Sequence, residues 1–148
     1  MKWLPLFAAC VVSSFLVCGC GRQDITVSHA RIAPVLSDVS LAPQQFTYGG
    51  GTSTLQVNAT SDRGIRAVTA SVTPWDQPAA SPRIYPLTFI GGTAYQTQIS
   101  VPSNTVASGQ AMLYRVSVVA EDNDGVQSVA SVLQIRVDAA DAPPGTPE

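Results

Sequence analysis

A chain of 148 residues with a formal net charge of −2 and only 12% charged side chains is the size of one domain and carries a weakly acidic, ordinary surface. That balance excludes a nucleic-acid binder, which needs clustered Lys and Arg to displace counterions from phosphates, whereas here the arginines are scattered and only Arg63 and Arg66 lie close together. All three cysteines, Cys10, Cys18 and Cys20, fall in the first 20 residues, so no disulfide forms within the chain beyond them.

The first element is an apolar run between Trp3 and Cys20, preceded by the basic Lys2. Pro5, Ser13, Ser14 and Gly19 interrupt it, and a spanning helix wants about 20 predominantly apolar residues, so the run reads as a removable export signal rather than a lasting anchor helix. It ends in Val17-Cys18-Gly19-Cys20, which resembles the lipobox of bacterial lipoproteins: Val17 stands at the third place before the cut, the small Gly19 next to it, and then the cysteine. Cys18, in the middle place, departs from the pattern. The resemblance implies that residues 1–19 are a lipoprotein signal peptide. Cys20 then becomes the mature N-terminus, with a diacylglyceryl thioether on its sulfur and an acyl chain, such as palmitate, on the freed amine.

A buried methylene is worth about 0.8 kcal/mol, and stable anchoring takes two chains or one chain with basic residues beside it. Gly21, Arg22, Gln23 and Asp24 are no polybasic patch, so the lipid would hold the protein alone. Gly21 in place of Asp implies sorting to the outer membrane if the host is diderm. Removal of the signal leaves seven arginines and no lysine against ten carboxylates, hence a net charge of −3 on about 128 residues. Residues 20–32 form a lipidated tether without sustained periodicity, with one edge segment between Ile25 and Val27 and the single histidine, His29.

From residue 33 to 138 the apolar positions alternate and turn residues recur every eight to twelve places, the signature of an antiparallel sandwich. The first strand is expected to place Val35, Ser37, Val39 and Leu41 inward and to stop at Pro43; Phe46 and Tyr48 extend it as an edge piece. Leu55, Val57 and Ala59 face inward on the second strand, opposite Thr54, Gln56, Asn58 and Thr60, before the turn Ser61-Asp62-Arg63-Gly64. Val68, Ala70 and Val72 mark the third strand, which ends at Pro74-Trp75. A connection through Pro78 and Pro82 leads to a single strand with Tyr85, Leu87 and Phe89, closed by Gly91-Gly92. Tyr95, Thr97, Ile99 and Val101 follow, then Tyr114, Val116, Val118 and Ala120, and last Val129, Leu133, Ile135 and Val137. Residues 139–148, with Pro143, Pro144 and Pro147, read as a frayed, disordered tail.

The segment from Tyr114 to Asp122, followed by Asn123-Asp124-Gly125, resembles the Tyr-x-Val-x-Val-x-Ala-x-Asp-x-x-Gly run of fibronectin type III, cadherin-like and other immunoglobulin-like modules. The resemblance implies an all-β, immunoglobulin-like sandwich of about seven antiparallel strands, with Gly125 in its turn. Tyr114 would pack in the core and anchor its hydroxyl on nearby backbone, as a tyrosine corner. Without a cysteine pair, the antibody type is excluded.

Catalysis is read by subtraction. His29 lies in the tether, no second histidine completes a zinc site, and no Gly-x-Ser-x-Gly elbow surrounds any serine. Asp62, Asp76, Asp122 and Asp124 fall at expected turns, where Asp bonds its own backbone. The chain is therefore read as no enzyme and as needing no cofactor besides the lipid. Glu121-Asp122-Asn123-Asp124-Gly125 gathers oxygen donors that suit calcium, with Asp122 and Asp124 as ligands, although the same residues are what a hairpin turn requires. Trp75 either folds back over the core edge or stands out as a platform for sugar or an anchor for protein. Asn58-Ala59-Thr60 fits a glycosylation sequon but sits within a strand and carries no weight.

The expectation is a lipid-anchored cell-envelope protein, held at the membrane by its N-terminal lipid, with a non-catalytic domain for protein interaction or scaffolding. Its partner would be an envelope protein or a polysaccharide. A carbohydrate-binding module would need Trp75, Tyr85 or Tyr95 in a flat exposed row; a calcium-stabilised adhesion module would need convergent oxygens around Asp122 and Asp124.

Overall fold

Nine strands and no helix make up residues 31–106 and 109–140, the part of the chain that the computed structural model describes. The expected signal peptide, the expected tether to residue 30 with Cys20 and His29, and the expected tail from 141 lie outside the described residues. In chain order the strands are β1 (Val35–Ala42), β2 (Gln45–Phe46), β3 (Gly51–Thr60), β4 (Ile65–Pro74), β5 (Arg83–Pro86), β6 (Thr88–Gly91), β7 (Ala94–Val101), β8 (Met112–Asp122) and β9 (Ser131–Val137).

They form two sheets, ordered β1-β3-β7-β6 and β2-β9-β8-β4-β5. Every pairing is antiparallel except that of the two-residue β2 with β9, which is parallel. An immunoglobulin-like sandwich places its first, second, fifth and fourth strands in one sheet and its third, sixth and seventh in the other. The chain has that connectivity once β2 and β5 are set aside as short additions to the second sheet, so the domain is an immunoglobulin-like β-sandwich.

The core lies between the sheets and follows the period-two pattern. Leu55, Val57, Ile99 and Val101 from one sheet meet Val68, Ala70, Val116, Val118, Ile135 and Val137 from the other, all buried. Fully burying each larger aliphatic side chain is worth about 1.5–3 kcal/mol, so these strands supply the driving force for folding.

Three details differ from the sequence expectation. In β1, Asp38 adopts φ 48° and the pairing with β3 shifts between Ser37 and Ser40, a β-bulge that inserts one residue and reverses the phase. Leu36 and Val39 therefore pack on the core, while Val35 is exposed. The bulge is pinned by Asn58 Nδ2, which donates to Asp38 Oδ2 at 2.8 Å.

The single strand expected around Leu87 is two strands in different sheets: β5 pairs with β4, β6 with β7. Leu87 marks the crossing; its side chain is buried and its N–H donates to the Val68 carbonyl at 2.9 Å. Phe89 then lies at an open edge, exposed, with its ring 5.4 Å from that of Tyr95. Val129, expected inward, is 88% exposed because β9 begins only at Ser131.

Strand direction sorts the connections into two ends. At the entry end, where Val35 pairs with Thr60, lie residue 31, the turn 61–64, the turn at 92–93 and the loop 123–130. At the far end lie residues 43–50, the connection 75–82, the loop 102–111 and the exit after Val137. Ten-residue strands such as β3 and β4 separate the ends by about 33 Å.

Candidate functional site

At the entry end the acidic loop is built as a turn. Asp122 is 1% exposed, and its Oδ1 accepts the backbone N–H groups of Asp124 and Val126, both at 2.9 Å. Its carbonyl accepts the N–H of Gly125 at 3.1 Å, and Gly125 has φ 77°, the left-handed conformation that Gly adopts without steric cost. Asp122 Oδ2 is buried without a hydrogen-bond partner. Asp124 faces the Arg63 guanidinium, with Oδ2 3.5 Å from Nε, in an ion pair exposed enough to contribute little.

The same loop is tied to the turn 61–64: Asn123 Nδ2 donates to the Arg63 carbonyl at 2.7 Å, and Asn123 N–H donates to the Gly64 carbonyl at 3.3 Å. A cleft of about 290 Å³ between them is lined by Arg31, Asp62, Arg63, Asp122 and Asp124. Among the described residues no three acidic, His or Cys side chains gather into a group able to hold a metal. Asp122 Oδ1 caps the turn and Asp124 Oδ2 meets an arginine, while Asp122 Oδ2 is left without a partner.

Trp75 stands at the far end, just beyond β4, its N–H donating to the Leu113 carbonyl at 2.8 Å. It is 52% exposed rather than folded over the core edge. With Asp76, Val106, Gln110 and Met112 it lines a groove of about 150 Å³, and Val106 is itself 42% exposed. The three aromatic residues weighed for a sugar-binding row do not form one. Tyr85 is half-buried with its hydroxyl on the Ser100 carbonyl at 3.2 Å, and Tyr95 lies on β7 against Phe89 near the entry end.

Tyr114 begins the buried run of β8 and packs in the core, yet its hydroxyl meets Met112 Sδ at 4.0 Å instead of backbone. Burial pushes that hydroxyl above the ordinary tyrosine range; the Arg83 guanidinium opposes the shift and the Asp76 carboxylate adds to it.

The anchoring assigned to a tyrosine corner is performed by Asn104, a residue that sequence reasoning passed over. Its Nδ2 donates to the carbonyls of Gln110 at 2.7 Å, Asp138 at 3.2 Å and Val137 at 3.4 Å, and its Oδ1 accepts the Val106 N–H at 2.9 Å. Nothing in Pro102-Ser103-Asn104-Thr105 distinguishes it from an ordinary exposed loop Asn. Arg83 and Val106 were missed for the same reason: their significance depends on strands distant in sequence.

Among solved structures the chain is similar to murine CRIg, at 16% identity over 71% of this chain and 96% of that one, with a TM-score of 0.36. A likeness at this level adds nothing to the strand pairing, which carries the fold assignment. No protein-family model and no curated protein matches the sequence.

Proposed function

We propose that the chain is a lipid-anchored protein of the cell envelope whose non-catalytic immunoglobulin-like domain binds or scaffolds another envelope protein through the end that carries Trp75. In a diderm host the anchor belongs to the outer membrane. Lys2, the apolar run after it and Val17-Cys18-Gly19-Cys20 support the anchor. The non-catalytic reading is supported by the commitment of Asp122 to backbone N–H groups and of Asp124 to Arg63.

One observation carries the choice of surface. Arg31, the first described residue, lies beside the cleft of Arg63 and Asp122, while the half-exposed Trp75 and Val106 lie at the opposite end. A lipid on Cys20 would join the chain at the entry end, from which Trp75 is separated by the length of β4, about 33 Å. Tryptophan is enriched among the residues that dominate protein interfaces, since one ring buries a large area with little loss of conformational freedom.

Intact-mass analysis of the protein from the membrane fraction, beside Cys20→Ala, tests the anchor. A mature species beginning at Cys20 with added acyl mass, absent in the variant, is expected; an unmodified chain retaining Met1 would overturn it. A photo-crosslinking side chain in place of Trp75, compared with one in place of Val129 at the entry end, tests the surface. A defined adduct with one envelope protein is expected from position 75 alone, and equal adducts from both positions would refute the assignment.

A further inference from the structure

A second cavity at the far end, of about 230 Å³, lies between the two sheets where β5 of one passes β7 of the other. The hydrogen bond from Tyr85 to the Ser100 carbonyl bridges that gap. Val72, Pro74, Val101 and Pro102 give the cavity apolar walls, and among the described residues Arg83 is its only charged lining residue.

Arg63, Arg66 and Arg136 each form an ion pair, whereas Arg31, Arg83 and Arg115 form none among the described residues, and the exposed Arg83 is the one of these three that lines this cavity. The Tyr114 hydroxyl, on a residue only 6% exposed, has the Met112 sulfur at 4.0 Å as its one contact, and thioether sulfur is a weak acceptor. A buried hydroxyl ordinarily finds a stronger one. Arg83 and Tyr114 both line this cavity, and burial raises the hydroxyl above the ordinary tyrosine range, so it remains a donor at neutral pH.

We propose that this cavity binds a small carboxylate with an apolar body, the carboxylate held by the Arg83 guanidinium and the Tyr114 hydroxyl and the body set against Val72, Pro74, Val101 and Pro102. The guanidinium fork matches a planar carboxylate, and the charge repels ammonium ligands. A phosphate group would need more donors than these walls provide. The volume lies below the usual range for drug-sized ligands, so the body is limited to roughly ten heavy atoms. The site is separate from the Trp75 groove and goes beyond the proposed function: it stands whether or not the far end also binds a protein.

Benzoate, benzamide and benzylammonium titrated into the ¹⁵N-labelled full-length mature chain in detergent, followed by amide chemical shifts, provide the test. Benzoate is expected to move the amides of Arg83, Ser100 and Tyr114 saturably, with Kd of about 1 mM or tighter, and to leave Leu55 unmoved. Benzamide and benzylammonium bind at least about tenfold more weakly, as does benzoate to Arg83→Gln. Arg83 is exposed, so that variant keeps the wild-type melting temperature, and Tyr114→Phe gives a smaller loss of affinity. Absence of saturable movement up to about 10 mM benzoate, equal binding of benzamide, or unchanged affinity in Arg83→Gln would each overturn the proposal.

Discussion

The Asn104 side-chain amide donates to the Asp138 carbonyl at 3.2 Å and thereby fastens the loop 102–111 to the exit of β9, 34 residues further along the chain. With its bonds to Gln110 and Val106, the same side chain also satisfies two backbone groups within that loop. Asn104→Ala leaves those groups unpaired in a partly buried place and should lower stability by about 2 kcal/mol in urea unfolding. Asn104→Asp should rescue little, because a carboxylate keeps the acceptor for Val106 but sets negative charge against three carbonyls. Wild-type stability in either variant would refute this role.

Gly64 and Gly125 have the same backbone conformation, φ 75° and 77°, but different surroundings. A Cβ on Gly64 would come within 2.9 Å of Asn123 Nδ2, the amide that ties the loop 123–130 to Arg63, while around Gly125 the space is open. Gly125→Ala should therefore cost about 1 kcal/mol, the conformational term alone. Gly64→Ala should cost more, since it also displaces the Asn123 amide. The order of the two losses in paired urea titrations checks the argument, and the reverse order would overturn it.

How much of this was open to reading from sequence depends on whether an interaction is local. Leu55, Val57 and Ala59, or Tyr114 through Ala120, betray their strands because one buried face imposes period two. Asp122 and Gly125 could be read as a turn because their bonds close within four residues. The bulge at Asp38 adds a residue without altering the type of its neighbours, so Val35 and Leu36 exchange faces unannounced. Tyr85, Leu87 and Phe89 keep their alternation straight through the crossing from β5 to β6, and alternation says nothing about which sheet a strand joins. In the candidate site, Trp75 was singled out by its rarity, but Asn104 and Arg83 gain meaning only from partners brought near by the fold.

Calcium separates the two readings of the acidic loop. Asp122 Oδ1 is occupied by two backbone N–H groups and Asp124 faces Arg63, so millimolar calcium should leave the melting temperature unchanged and a chelator should not lower it. Asp122→Ala should nevertheless cost about 2–3 kcal/mol, because both N–H groups lose a charged acceptor. A rise in melting temperature with calcium, abolished by Asp122→Ala, would restore the adhesion-module reading.

Tyr114 gives the domain a predictable alkaline weakness. Its folded pKa is raised above the ordinary 10.0, mainly by burial, with Arg83 opposing and Asp76 adding. A raised value means that the folded state holds the phenolic proton more tightly than the unfolded chain does. The associated stability is therefore fully present below about pH 10 and is lost as pH rises through the folded value. Tyr114→Phe lacks this term, so the stability difference between wild type and variant should be constant from pH 7 to about 9 and shift in favour of the variant above about 10. A difference independent of pH across that interval would show that Tyr114 does not titrate differently in the two states.

Trp75→Ala distinguishes a recognition residue from a packing residue. The ring is half exposed and lies outside the buried core, and its backbone bond to Leu113 does not depend on the side chain. Unfolding stability should change by about 0.5 kcal/mol or less, as for a surface substitution. An interface anchored by this ring should instead lose at least about 2 kcal/mol, near thirtyfold in Kd, measured with the partner captured by the cross-link at position 75. Val106→Ala, which removes a smaller part of the same groove, should weaken binding less and leave stability similarly untouched. Loss of stability in Trp75→Ala without loss of binding would reverse the assignment and make the tryptophan a structural cover for Met112 and Leu113.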